Sequence, residues 1–276
     1  MMKIFIFGSS GMLGNYVKKY LKQLQKEVVC ITRETFDVNK LSFSNIDKLF
    51  ESLKIHENDV IINCIGIIPQ SNNVNNVTNK NYYKINTLFP IFLNIICNKY
   101  HTKLIHITTD CVFSGKKGNY VENDVHDEIN DYGVSKSLGE LYDKCTIIRT
   151  SIIGEEKKNK YSLLEWIKNN KDGSINGYTN HYWNGVTCLQ LAKILHEIID
   201  TNNFWQGVRH IYSPNTLSKY ELSMIINTTY SLNITINKYE TEKYINKSLN
   251  TIYYENAVFN IPELQEQIIE LKDFTI

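Results

Sequence analysis

The sequence predicts an α/β chain with a doubly wound parallel sheet and a smaller C-terminal lobe, and three observations carry that expectation. Short apolar runs alternate with amphipathic stretches through the first half, a glycine motif separates the first run from the first amphipathic stretch, and the rhythm breaks beyond about residue 155. The run Ile4-Phe5-Ile6-Phe7, after Lys3, predicts a first strand that ends at Gly8. Tyr16, Val17, Tyr20, Leu21 and Leu24 then recur at helical spacing, with Lys18, Lys19, Lys22 and Lys26 between them. Val28–Ile31 and Asp59-Val60-Ile61-Ile62-Asn63 predict the second and third strands. Residues 84–98 read as a buried helix that tolerates Pro90 near its first turns. Leu104–Ile107 predicts a fourth strand, Gly133–Tyr142 a helix and Thr146–Ile148 a fifth strand. Strands separated by helical patterns imply a parallel sheet covered by helices on both faces, a Rossmann-type arrangement. In the second region Leu163–Ile167 and Leu189–Ile199 look helical within polar, irregular surroundings, without an internal repeat or a linker. Residues 1–155 are therefore expected to form the dinucleotide-binding unit, and 156–276 a smaller substrate lobe, with the chain crossing between them.

With 276 residues, 42% hydrophobic and 21% charged, the chain suffices for one large α/β unit or for a domain with a small companion. Lys+Arg 30 against Asp+Glu 29 leaves a formal charge of +1, and no nucleic-acid surface is expected from that balance. No apolar run approaches the roughly 20 residues that span a bilayer. The opening MMKIFIFGSSGMLG has too short an apolar run for a signal peptide before it reaches the glycines, so a cytoplasmic location is expected. Cys30, Cys64, Cys97, Cys111, Cys145 and Cys188 show no CxxC or metal-ligand spacing. Buried free thiols are expected, with neither disulfide nor metal. The sequon Asn76-Val77-Thr78 then has no consequence, and the Asn-rich stretch 72–81 reads as a mobile surface loop after the third strand.

Gly8-Ser9-Ser10-Gly11-Met12-Leu13-Gly14 follows a strand and opens a helix. Glycines at those places let backbone approach a pyrophosphate, and the helix N-terminus offers N–H groups and a dipole to the anion. Gly8, Ser10, Gly11, Met12, Leu13 and Gly14 are therefore expected to bind a dinucleotide, although the spacing is G-x-x-G-x-x-G rather than the G-x-G-x-x-G of many dehydrogenases. At the end of the second strand an acid would mark NAD, and an Arg the 2′-phosphate of NADP. The sequence reads Cys30-Ile31-Thr32-Arg33, followed by Glu34, so Arg33 predicts NADP(H), with NADPH preferred over NADH.

Tyr132-Gly133-Val134-Ser135-Lys136 places a phenol and an ammonium one helical turn apart on one face. The cation is expected to lower the Tyr132 pKa so that the phenol exchanges protons near neutral pH. Thr108-Thr109-Asp110 follows the fourth strand, where a hydroxyl can bond a reacting carbonyl.

Together the glycine motif, the strand-end hydroxyl and Y-x-x-x-K resemble the extended short-chain dehydrogenase/reductases. Residues 104–151 are similar, more narrowly, to the dTDP-4-dehydrorhamnose reductase family: T-D-x-V-F-x-G, G-x-Y-x-E-x-D, Y-G-x-S-K-x-x-G-E and R-T-S follow one another. Weaker echoes continue at Gly185-Val186-Thr187, Gly207-Val208-Arg209-His210, Ser218-Lys219-Tyr220 and Asn246-Lys247-Ser248-Leu249. The resemblance implies that Thr109 is the catalytic hydroxyl, with Thr108 as its rival, that Tyr132 donates the proton and that Lys136 holds the nicotinamide ribose. It implies dinucleotide contacts from Cys64, Ile65 and Gly66, adenine contacts from Asp37 and Val38, and support of the cofactor or of an active-site water by Asn86. Substrate contacts are expected from Thr109, Asp110, Cys111, Val112 and Ile152, and from His181 and Trp183 in a polar-aromatic loop.

The implied reaction is NADPH-dependent reduction of a nucleotide-linked 4-keto-6-deoxyhexose at C4. Cys111 and Ile152 stand where the family usually has Tyr and Trp, and the smaller side chains would admit a larger substituent, such as a 2-acetamido group. The rhamnose precursor and a UDP-2-acetamido-2,6-dideoxy-L-hexos-4-ulose are both open at this point, as is a homodimer. A dehydratase is disfavoured, because Cys111 follows Asp110 where that branch has Glu, and an epimerase because the acidic residue after the second strand is missing. A non-catalytic NADP-binding subunit, like the beta subunit of methionine adenosyltransferase, is the rival from another class. His106 is expected to be a satisfied core histidine, Arg149 a scaffold ion-pair partner, and Glu122 and Asp124 solvated loop acids.

Overall fold

The computed structural model describes residues 2–69, 79–140, 144–157 and 160–276. Its centre is a six-stranded sheet of β1 (Ile4–Phe7), β2 (Val28–Ile31), β3 (Val60–Asn63), β4 (Lys103–Thr109), β5 (Thr146–Thr150) and, from the second half of the chain, a strand Gly207–His210. The spatial order is Gly207–His210, β5, β4, β3, β1, β2, and every pairing is parallel. After β2 the chain returns across β1 to lay down β3, so the direction of winding reverses between β1 and β3. That reversal opens a crevice at the carboxyl ends of the two strands, where doubly wound sheets bind ligands.

Alternation within β1 shows why these strands are apolar throughout. Ile4 and Ile6 face one buried core, and Phe5 and Phe7 face a second on the other side of the sheet. The first core is closed by α1 (Met12–Gln23) and by the second-half helices; the other is closed by α2 (Phe43–Ser52) and α3 (Phe89–Lys99). The segment expected as a single helix over 84–98 is divided: Tyr83–Leu88 is π-helical and α3 follows, with Pro90 in its first turn. Pro90 has no N–H for the Asn86 carbonyl, which accounts for a ladder that widens one turn earlier. The helix expected at Gly133–Tyr142 is α4 (Asp131–Gly139), and residues 141–143 lie outside the described residues. Most of the Asn-rich stretch, 70–78 with its sequon, also lies outside them.

The second half adds α5 (Leu163–Asn169), α6 (Cys188–Asp200), α7 (Lys219–Tyr230) and α8 (Leu264–Asp273). It also carries short strands: β6 (Ile152–Ile153), β7 (Ser174–Tyr178), β8 (His181–Trp183), β9 (Val186–Thr187), the sheet strand β10 (Gly207–His210), β11 (Leu217–Ser218), β12 (Thr235–Tyr239) and β13 (Ile245–Asn246). The expected boundary near residue 155 is crossed by β10, which completes the first sheet, and by the core shared from Ile4 to Leu271. All six cysteines are free; Cys97, Cys145 and Cys188 are buried, while Cys30, Cys64 and Cys111 are partly exposed. Among the described residues no helix is long and apolar enough to cross a membrane.

Candidate active site

The glycine turn fits a dinucleotide at the winding reversal. Gly8 adopts φ +77°, a left-handed conformation that suits glycine, and its carbonyl accepts from Gly11 N at 2.9 Å. A Cβ on Gly14 would collide with the Gly8 carbonyl and stand 2.8 Å from Ser9 Cα, so only glycine lets α1 approach β1 this closely. Gly11 caps α1 without a side-chain hydrogen bond, and the first turn carries no acid. Its N–H groups therefore remain for an anion. Ser10 and Gly11 are exposed and Met12 half-buried, whereas Leu13 belongs to the core. Arg33 is exposed just past β2. The carboxylate of Asp37 caps the turn Val38–Lys40 by accepting from Asn39 N at 2.9 Å, and Val38 is buried in the second core. Adenine contacts expected of these two side chains thus compete with structural tasks.

Beyond β3 the turn Cys64-Ile65-Gly66 is held from below. Asn63 Oδ1 accepts from Ile65 N at 3.0 Å, and burial pushes the Cys64 thiol up to about 12. Asn86, expected to support cofactor or water, is saturated by protein. Its Oδ1 accepts from Ile67 N at 3.0 Å, and its Nδ2 donates to the Ile67 carbonyl and to Ser135 Oγ, both at 3.1 Å. It fastens the turn to α4, so that a Cβ on Gly66 would stand 2.8 Å from Lys136 Nζ. This bare backbone beside an ammonium is space that a side chain would fill and that a dinucleotide would fit.

α4 brings the catalytic candidates together. Asn130 caps it by accepting from Gly133 N at 2.8 Å, and Tyr83 Oη donates to Asp131 Oδ1 at 3.0 Å. Gly133 and Gly139 allow the close approach: added Cβ atoms would stand 2.6 Å from the Cys111 carbonyl and against the Asn86 carbonyl. Thr109 ends β4, accepts from Cys111 N at 3.2 Å, donates to Asp110 Oδ1 at 3.1 Å and neighbours the Tyr132 phenol. Thr108, the rival hydroxyl, is buried and makes no side-chain hydrogen bond among the described residues, which favours Thr109 for the reacting oxygen.

The electrostatics correct one expectation. Burial pushes the Tyr132 phenol above its ordinary value, and the neighbouring Cys111 and Asp110 act in the same direction against the Thr109 hydrogen bond. Lys136 does not reverse this, because its own ammonium rests against Gly66 and is pushed down to about 8 by burial. Tyr132 is thus held as the protonated phenol at neutral pH, the form a donor requires.

On the substrate side Asp110 is buried and its carboxyl pushed up, with Lys247 and Lys219 pulling it back, and Cys111 is raised to about 12 by burial. Val112 departs from expectation: it is fully buried with Phe113, Tyr120 and Leu249, because Phe113 and Tyr120 stack at 4.2 Å and close over it. Its side chain is core. Ile152 is half-buried in β6, paired with Val186. His181 is engaged within the second lobe, bonding Thr241 Oγ1 at 2.8 Å and packing on Tyr178 at 4.9 Å. Trp183 is buried beneath Lys219, whose Nζ stands 4.8 Å from the ring centroid. Lys219 and Lys247 went unassigned in the sequence, although both lie in segments that echo the family. Only the tertiary fold turns them toward Asp110.

Two further expectations are revised. His106 is 2% exposed and pushed down to about 3 by burial, but it is only half satisfied. Asn63 Nδ2 donates to its Nδ1 at 3.1 Å, which leaves the proton on Nε2, and Nε2 has no hydrogen-bond partner among the described residues. Glu122 is a clamp rather than a solvated acid: it accepts from His210 N at 2.8 Å, Thr251 Oγ1 at 2.6 Å and Ile252 N at 2.9 Å. Asp124 accepts from Val121 N at 2.8 Å and pairs with Lys117.

The model of the RmlD substrate binding domain matches residues 2–253. The chain belongs to this family. It is 27% identical over 240 residues to a dTDP-4-dehydrorhamnose reductase of Aggregatibacter actinomycetemcomitans, covering 82% of this chain and 78% of the relative. It is 24% identical over 260 residues to the spore coat polysaccharide biosynthesis protein SpsK of Bacillus subtilis, covering 92% and 88%. Among solved structures, a Bacillus anthracis dTDP-4-dehydrorhamnose reductase in complex with NADP superposes with a TM-score of 0.80 at 20% identity, over 100% of both chains. The Rossmann-type fold and the family expected from the motifs are those found.

Proposed function

We propose that the chain is an NADPH-dependent reductase of the C4 keto group of a nucleotide-linked 4-keto-6-deoxyhexose, acting in the cytoplasm in the last step of an activated deoxysugar for surface glycans. The class, a sugar-nucleotide oxidoreductase, follows from the family. The observation that carries the reading is the convergence of Thr109, Tyr132 and Lys136 at the end of β4, beside the glycine groove. A bound reduced nicotinamide would supply the hydride that adds to C4. The Thr109 hydroxyl would turn from Asp110 to bond the carbonyl oxygen, and Tyr132 would transfer its proton to that oxygen as charge develops, so that the ketone, having gained the hydride, becomes an alcohol. Lys136 lies against Gly66, where it would meet the nicotinamide ribose. Cys111 and Ile152 are smaller than the Tyr and Trp usual at these positions in the family and would favour a larger substituent such as a 2-acetamido group, so the proposal covers both that sugar and the rhamnose precursor.

Arg33→Ala is expected to weaken NADPH about ten- to a hundredfold while changing NADH little, the worth of hydrogen bonds to a charged group. Titration of the two reduced cofactors by fluorescence checks this, and an equal loss for both would contradict the assignment of Arg33. For the substrate, purified protein is supplied with NADPH and the 4-keto-6-deoxy-L-sugars on dTDP, on UDP, and on UDP with a 2-acetamido group. Loss of the reduced-nicotinamide absorbance with one of them is the expected result. NADPH binding without oxidation by any would favour the binding subunit.

A further inference from the structure

We propose that Glu140, held in place by Arg149, is a positioning residue that keeps Lys136 as an ammonium on the active-site face of α4. The inference rests on the cofactor-facing role given to Lys136 above.

Tyr132, Lys136 and Glu140 follow one another at four-residue spacing, so one helix face carries the phenol, the ammonium and a carboxylate in line. Glu140 is the C-cap of α4, an unfavourable end for an anion. It is also buried, at 7% exposure, as is Lys136 at 6%. What offsets both costs is Arg149, 1% exposed on β5, whose Nε donates to Glu140 Oε1 at 3.3 Å while a second guanidinium nitrogen donates to Oε2.

The guanidinium is itself aimed by neutral groups. Two further donors go to His210 Nε2 at 2.8 Å and His126 Nε2 at 2.7 Å, and its Cζ lies 5.1 Å from the Phe113 ring centroid. Each histidine uses its other nitrogen as a donor: His126 Nδ1 to Ser137 Oγ at 2.6 Å, and His210 Nδ1 to the Asn250 carbonyl at 2.7 Å. The cluster thus joins α4, β5, β10 and the segments around residues 126 and 250 beneath the catalytic helix. A buried ion pair is a weak stabiliser, since apolar side chains of similar volume often serve as well. Its place one helical turn from Lys136 on the same face points to an electrostatic task.

The described groups that face Lys136 are few. Glu140 lies on its own helix, Tyr132 one turn back, Cys111 on the turn after β4 and His106 on β4; Gly66 and Asn86 contribute no charge. Glu140 is the only carboxylate among them. Burial works against the ammonium, and Glu140 is first among the groups that favour it.

The test is the titration of Lys136 in the full chain without cofactor, followed by the 15N shift of its Nζ and assigned by the loss of that signal in Lys136→Met. Glu140→Gln, nearly isosteric, is expected to lower the midpoint so that the ammonium is at least tenfold scarcer at a given pH above it. Should that variant fail to fold, the paired Glu140→Leu, Arg149→Met substitution leaves no unpaired charge and carries the same expectation. A midpoint unmoved in the folded variant, or raised, would overturn the proposal. Keto-sugar turnover by the wild-type chain is read separately: turnover with an unmoved midpoint sinks the role of Glu140 alone, while a lowered midpoint without turnover sinks the reductase reading alone.

Discussion

Tyr132→Phe is expected to lower turnover by ~10²–10⁴-fold, the range for loss of a positioned proton donor, while NADPH affinity stays within about twofold. The substitution removes one oxygen and keeps the ring, whose packing against Tyr82 at 6.1 Å is unchanged. The size follows from the environment. Burial keeps the phenol protonated at neutral pH, so the donor is always loaded, but a phenol above its ordinary value is a weak acid. Lys136 stands one turn away on the same helix face, where its positive charge favours the phenolate as the proton leaves. Steady-state kinetics beside cofactor titration measures both quantities. Unchanged turnover would remove Tyr132 from the mechanism, and a parallel loss of cofactor affinity would make its role structural.

Arg149→Met is expected to destabilise the fold by ~3–5 kcal/mol, the usual cost of leaving one partner of a buried ion pair alone. Glu140 would keep a buried carboxylate without its guanidinium, and His126 and His210 would lose the donor to Nε2. In a chain of this size that corresponds to a melting temperature lower by on the order of 10 °C. Acid response is a second readout. Burial first, and Arg149 second for His210, hold both histidines below the ordinary range, His210 at about 4. Between about pH 6.5 and 4 the unfolded chain takes up protons that the native one refuses, so wild-type stability falls as pH falls through that window. Without the guanidinium the native histidines charge more readily, and the acid loss should be shallower. Melting curves from pH 7 to pH 4 decide it; an unshifted midpoint at neutral pH would contradict the burial of an essential ion pair.

The sequence revealed most where a signal is local. β1, β2 and β3 are short apolar runs, and α1 follows from helical spacing behind the glycines. α2 was legible in the same way and was missed: Ser42 caps it, and Ile46, Leu49 and Phe50 form its buried stripe. β10 was visible only as the echo Gly207-Val208-Arg209-His210, because a strand of four residues beside Trp205 and Phe204 has no pattern that says which sheet it joins. The site divides likewise. Glycines and the Tyr132/Lys136 pair are fixed by spacing along one segment. Lys219 and Lys247 depend on how distant segments fold over Asp110, and Glu140 and Arg149 on a register between α4 and β5. Val112 and Glu122 were misread for the same reason: whether a loop side chain is core, clamp or ligand contact depends on what packs on it.

The most direct measurement of the central reading follows the hydride itself. NADPH deuterated at the nicotinamide C4, incubated with the keto-sugar that oxidises it, should leave deuterium at C4 of the sugar product, read by NMR and mass spectrometry. Deuterium at C4 from the wild-type chain, together with its near-absence from Tyr132→Phe, is the expected result. Cofactor oxidation that leaves the sugar unlabelled, or label at another carbon, would contradict reduction of a C4 keto group.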